Sequence, residues 1–153
     1  MATAAAHVDY ALAYPGILPD NPLYFIKALR DRLVGFLIND FGKKAEFNLL
    51  TADKRINAAW TLAVRRRDEL AISTLSKSNN YLALAIDDAK AAKSAGKNVD
   101  TVLSNLKDSI KKHEEVLLII SQKVDKSFAP QLQAEQKRLV DFGKSVEKLL
   151  PQE

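Results

Sequence analysis

The sequence predicts an all-α fold, an antiparallel up-and-down bundle of about five helices. Three observations carry this expectation. Over most of the 153 residues, apolar side chains recur at alternating steps of three and four, the spacing that gathers them on one face of a helix. No stretch has the strict alternation of a half-buried strand. Five prolines and five glycines leave long periodic segments joined by short connections, and short connections make consecutive helices antiparallel neighbours.

Residues 1–13 are alanine-rich with no apolar face of useful length, and read as a flexible N-terminal arm before a single bundle domain over 14–150. The domain opens on "YPGILPDNPLYFIKALRDRL", Tyr14 to Leu33, which holds three of the five prolines. Pro15-Gly16 signals a turn, and Pro19 forces an extended residue before it. Asp20 or Asn21 is placed to cap a helix whose first residue is Pro22, where a missing N–H costs nothing. Ile17 and Leu18 are the expected docking residues of this segment.

The first helix is expected over 22–38, with Ile26, Leu29, Leu33 and Phe36/Leu37 facing the core. Asn39-Asp40 ends it and caps a second helix over 41–66, whose Ala45, Leu49, Ala52, Ile56, Ala59 and Ala63 form a heptad seam. Phe47, Leu50, Trp60 and Val64 widen that face. A third helix over 68–95 has Asp68 as its candidate cap, Leu75, Leu82, Ile86 and Ala89 inward, and Gly96 as its stop. The fourth, over 100–124 with Asp100 or Asn98 as cap, carries Leu103, Leu106, Ile110, His113, Leu117, Ile120 and Val124 on the cleanest heptad in the chain. Ser127 with Pro130 restarts a fifth over 128–150, with Leu132, Leu139, Phe142, Val146 and Leu149 inward. The segments 41–95 and 100–150 are similar in length but share no position-specific signature of a repeat.

Composition narrows the function classes. Cysteine is absent, which removes disulfides, thiolate metal sites and cysteine nucleophiles, and leans towards an exported protein while leaving the cytoplasm open. Apolar runs such as "VLLII" at Val116 to Ile120 are far short of a membrane span. The opening "MATAAAHVDYALAYP" lacks the charged and apolar regions of a signal peptide, so any signal or anchor segment is expected outside these residues. Charge is uneven: ten Lys/Arg against four acids over residues 24–67, with six of the seven arginines there. A polyanion or an anionic membrane surface would meet that section.

Candidate chemistry is sparse. His7 reads as a solvated residue of the arm. His113 has no ligand-type residue three or four positions away, so it reads as a buried histidine satisfied by a hydrogen bond rather than a metal ligand. Asp87-Asp88 and Glu114-Glu115 point apart on a helix and form no dyad. With no phosphate loop, nucleophile elbow or zinc signature, the sequence predicts a protein that is not an enzyme and takes no cofactor or metal. Arg55, Arg65, Arg66 and Arg67 are the candidate anion-binding residues, set against the alternative that cations near a helix C-terminus complement its dipole. No recognition motif accompanies the charge, which argues against nucleic acid. Trp60 with Tyr24, Phe25, Phe36, Phe41 and Phe47 is expected to pack between the first two helices.

The stretch from Tyr14 to Leu33, with "KKAEFNLLTADKRI" and "DELAISTLSKSNNYL" after it, resembles a family of bacterial and archaeal helical domains of unknown function. Its opening element is Leu-Pro-Asp-x-Pro-Leu-Tyr, here Leu18, Pro19, Asp20, Pro22, Leu23 and Tyr24. The resemblance spans about residues 10–120 and brings no catalytic residues. It implies a domain that follows a signal or anchor segment, hence an interaction or structural module of the cell envelope or exterior, with an unidentified protein or envelope partner and self-association open. Arg65-Arg66-Arg67 stands where relatives tend to have a glycine-containing turn.

Overall fold

The computed structural model describes residues 7–152. Five α-helices organise them: α1 Tyr24–Leu37, α2 Phe41–Val64, α3 Asp68–Ser94, α4 Asp100–Ser121 and α5 Ala129–Leu149, with a 3₁₀ turn at Lys126–Phe128 leading into α5. The fold is all-helical, and no described residue lies in a strand. Of the arm expected over 1–13, residues 1–6 lie outside the described residues.

Local chemistry explains the ends. Asp40 opens α2 as expected, accepting the Lys43 N–H at 2.9 Å. At the far end Arg66 adopts φ 60°, while Arg67 N–H bonds Leu62 C=O and Arg66 N–H bonds Ala63 C=O. This is the glycine-type helix stop with an arginine in the left-handed position. Gly96, at φ 77°, does the same for α3. Helices α2 and α3 are therefore separate.

Several expected caps are corrected. Helix α1 begins at Tyr24, not Pro22, because Asn21 Oδ1 accepts the Leu23 N–H at 2.9 Å in a turn of its own. Asp20 instead pairs with Arg65 at 3.1 Å. Asp68 is the first residue of α3 rather than its cap, and its Oδ2 accepts the Asp125 N–H at 2.9 Å. The cap position of α4 is Val99, with Asn98 Oδ1 accepting the Asp100 N–H. Ser127 lies inside the 3₁₀ turn, which Asp125 caps.

Helices α2 to α5 form the bundle, and its order differs from that of simple antiparallel neighbours. Helices α2 and α3 pair antiparallel, as Asn48 to Asp88 and Ala52 to Ser78 show. Between the hairpins, in contrast, polar contacts keep an almost constant sequence separation. Ser109 meets Asp53 and Arg66 meets Lys123 at separations of 56 and 57, while Asn79 meets Glu135 and Arg138 meets Asn80 at 56 and 58. A constant separation means parallel neighbours in one register. The α4–α5 hairpin is thus laid beside the α2–α3 hairpin, α4 against α2 and α5 against α3.

The seam residues expected of α2, α3 and α4 are buried throughout, as are Leu132, Leu139 and Val146 of α5. The register is visible in them. Ala45, Ala52, Ala59 and Ala63 occupy places that the second hairpin fills with Val102, Ser109, Val116 and Ile120, all buried. Small side chains on α2 admit larger ones from α4. Leu50 and Val64, expected to widen the α2 face, are exposed.

Helix α1 stands outside this core and contributes no buried residue. Its expected inward face, Ile26, Leu29, Leu33, Phe36 and Leu37, is exposed instead.

Candidate functional site

The side of α1 that meets the body is mixed, with Tyr24, Lys27 and Asp31 beside Ala28 and Gly35. Tyr24, Lys27, Ala28, Asp31, Gly35 and Ile38 are the residues of this segment that are partly covered. They share one face at steps of three and four. The opposite face carries Phe25, Ile26, Leu29, Leu33, Phe36 and Leu37, with Phe25 68% and Phe36 81% exposed. At 100° per residue, Arg32 falls on one border of this stripe and Arg30 on the other. Both arginines are exposed. Exposed Tyr14, Ile17 and Leu23 continue the apolar surface at one end and Phe41 at the other.

Specific contacts hold α1 in this orientation. Lys27 Nζ donates to the carbonyls of Pro15 and Ile17, tying the proline segment to the helix, and burial lowers its pKa. Leu18 and Pro15 are buried while Ile17 is 40% exposed, so Leu18 is the main docking residue. At the other end a Cβ on Gly35 would come within 3.1 Å of the Phe47 ring. Glycine permits that approach. The expected packing of Phe25, Phe36 and Phe41 between the first two helices is therefore corrected: these rings face outward, and only Trp60 packs on the core.

A cleft of about 570 Å³ opens where α1 crosses α2 and α3. Arg55 lies at its base. Its guanidinium sits 5.7 Å from the Tyr24 ring centre and 5.0 Å from that of Tyr81, and its Nη1 donates to the Tyr24 hydroxyl. Arg32, Lys44 and Lys77 line the same cleft with Asp31 and Asp88. Asp31 is engaged by Arg30 at 2.7 Å and Asp88 by Asn48 at 2.8 Å. Burial raises the Asp88 pKa, with the Asn48 hydrogen bond and Lys44 opposing it.

The four candidate arginines do not converge. Arg55 belongs to this cleft, Arg65 pairs with Asp20, and Arg66 donates to the Lys123 carbonyl at 2.7 Å. Arg67 occupies the cap position of α3. Of the opening element, Tyr24 engages Arg55 of α2 and Asp20 engages Arg65 in the turn after it, Leu18 and Pro19 lie against the body, and Pro22 and Leu23 are exposed.

Polar side chains that sequence reasoning missed lie inside the bundle. Asp53, only 3% exposed, accepts from Tyr10 Oη at 2.6 Å and Ser109 Oγ at 2.6 Å, and His113 Nε2 lies 2.9 Å away. Ser78 Oγ is 3.5 Å from His113 Nδ1, but it donates to the Ala52 carbonyl at 2.9 Å. Ser78, His113 and Asp53 fall in line like a hydrolytic triad, yet all three are buried and none lines a described cleft. The cluster joins α2 to α4 and anchors residues 8–13. Val8 N–H also bonds Glu115 at 2.8 Å, and Asn57 bonds the Ala13 carbonyl at 3.2 Å. A second buried contact, Asn79 Nδ2 to Glu135 at 2.7 Å, joins α3 to α5.

A cavity of about 780 Å³ lies along α4 and α5, where Leu117, Leu118, Leu132 and Val140 meet Lys111 and Glu114. No group of three or more metal-capable side chains converges among the described residues.

A family model described as a domain of unknown function, DUF5667, matches residues 16–127. The chain belongs to the DUF5667 family. No curated protein and no solved structure matches it. The DUF5667 match takes in α1 to α4 and stops in the connection before α5. In this member α5 completes the second hairpin, so the folded unit extends past the matched span.

Proposed function

We propose that this DUF5667 chain is a non-enzymatic interaction module of the cell envelope or exterior that docks on an anionic membrane surface through α1. One observation carries the reading: α1 turns a mixed side, with Lys27 and Asp31 on it, to its own bundle and a continuous apolar stripe, bordered by arginines, to solvent. A helix lying in a bilayer interface needs that arrangement, apolar rings and leucines buried in the headgroup boundary with cations flanking them. Its 14 residues give a stripe about 21 Å long. No helix among the described residues is long and apolar enough to cross a membrane. The family resemblance supports the envelope location.

The alternative, a soluble polyanion held by Arg65, Arg66 and Arg67, has less support. Two of those side chains are already engaged within the chain.

Co-sedimentation with vesicles tests the proposal. Binding is expected to phosphatidylglycerol-containing vesicles and not to pure phosphatidylcholine, weakening as salt rises. The double substitution Leu29→Glu and Leu33→Glu should abolish it, and Arg65, Arg66 and Arg67 to Ala should change it little. Undiminished binding by the double variant contradicts the proposal, as does no binding by the native chain. Concentration-dependent dimerisation through the same face would assign α1 to a protein partner instead.

A further inference from the structure

We propose that the cleft around Arg55 is a binding site for a phosphate group, either of a lipid headgroup or of a soluble phosphate ester. In its lipid form this rests on the docking of α1 proposed above; as a site for soluble phosphate it stands without that reading.

The charge balance of the cleft points to an anion. Arg55 is partly covered, yet no carboxylate lies within ion-pair distance of it among the described residues. A partly desolvated guanidinium normally acquires a carboxylate or phosphate partner. Here it has two aromatic faces and one phenol oxygen, and its Nε is out of contact with solvent with no acceptor. Arg32, Lys44 and Lys77, on three different helices around the cleft, likewise make no ion pair at that distance among the described residues. Against these four cations stand Asp31 and Asp88, one engaged by Arg30 and the other by Asn48. An excess of positive charge remains.

The donors that line the cleft are of the kinds that bind a tetrahedral anion. Tyr24 Oη accepts a hydrogen bond from Arg55 and keeps its own proton for a further acceptor. The guanidinium lies 5.7 Å and 5.0 Å from the Tyr24 and Tyr81 ring centres, and its planar fork favours two-pronged recognition of phosphate. Lysines on the rim add point charges. The cleft also adjoins the proposed docking face, since Arg32 and Phe36 line it and border or belong to the exposed stripe of α1. A headgroup at a membrane held by that stripe is within reach of the cleft. Its volume, about 570 Å³, falls within the usual range for small-molecule sites.

The test is a titration of the native chain with glycerol phosphate, followed by the NMR resonance of the Arg55 side-chain N–H. A saturable shift is expected. Arg55→Lys, which keeps the charge but loses the fork, should weaken binding about ten- to a hundredfold. Lys77→Gln, at an exposed position with no ion pair, should weaken it about threefold by loss of one screened charge. Asp88→Asn should tighten it about threefold, for the converse reason. No saturable shift in the native chain, or equal affinity in Arg55→Lys and Asp88→Asn, overturns the site. A second arm uses phosphatidylglycerol vesicles. Vesicle binding without a glycerol phosphate response leaves the α1 reading standing and removes this one. A glycerol phosphate response without vesicle binding does the reverse and assigns the site to soluble esters.

Discussion

At the residue scale, neighbouring positions of α2 do opposite things. Asp53 is sealed inside the bundle by Tyr10, Ser109 and His113, whereas Arg55 opens on a cleft with no carboxylate beside it. Removing Asp53 by Asp53→Ala leaves three partners, Tyr10 of the N-terminal segment with Ser109 and His113 of α4, without their acceptor and should cost about 3 kcal/mol in urea unfolding. Tyr10→Phe, which removes one donor, should cost about 1 kcal/mol. The Asp88 carboxyl is a pH probe. Burial raises its pKa in the folded chain, so folding is penalised above that pKa and not below the unfolded one. Asp88→Asn should therefore stabilise the chain at neutral pH, and the gain should vanish near pH ~3, where both states are protonated. His113 was legible as a buried, hydrogen-bonded histidine because it falls on a heptad of large apolar residues. Asp53 was not, because a carboxylate beside Ala52 and Ile56 looks like an ordinary surface residue until its partners, 43 to 60 residues away in sequence, are brought to it.

At the element scale, periodicity established the long helices. It gives the direction of an apolar stripe around the helix axis and nothing about what lies opposite it. The heptads of α2 to α5 face one another. The equally regular stripe of α1 faces away, because Tyr24, Lys27 and Gly35 make the specific contacts with the rest of the chain. Substitution separates the two cases. Leu106→Ala, fully buried on α4, should cost about 2–5 kcal/mol, while Leu33→Ala on α1 should stay within about 0.5 kcal/mol. At the turns, Gly96→Ala meets no atom within 4 Å, so its cost of about 1 kcal/mol comes from the left-handed backbone alone. Arg66 already bears that cost at the matching turn, which is why the chain lacks the glycine that would have announced the stop. Amide exchange should protect α2 to α5 and leave α1 fast.

At the scale of the whole molecule, two helical hairpins lie side by side in one register, and the amphipathic helix before them is held with its apolar face outward. The matched register of the hairpins escaped sequence comparison because matched positions hold different residues, alanine on α2 against valine, serine or isoleucine on α4. Steric fit selects complementary volumes, not identical residues. The basic balance of residues 24–67 was legible from composition, but its division was not: Arg30 and Arg32 border the exposed stripe, Arg55 serves the cleft, and Arg65 and Arg66 tie the turn after α2 to its surroundings. The reading as a surface-docking module makes α1 the contact element and the hairpins its rigid support.

The absence of cysteine allows the direct measurement, a polarity-sensitive fluorophore on Leu33→Cys compared with one on Lys137→Cys, an exposed position of α5. On phosphatidylglycerol vesicles the probe at 33 should shift strongly to the blue and become shielded from aqueous quenchers, while the probe at 137 stays in water. Probes at both positions remaining in water, with the chain helical throughout, would contradict the docking of α1.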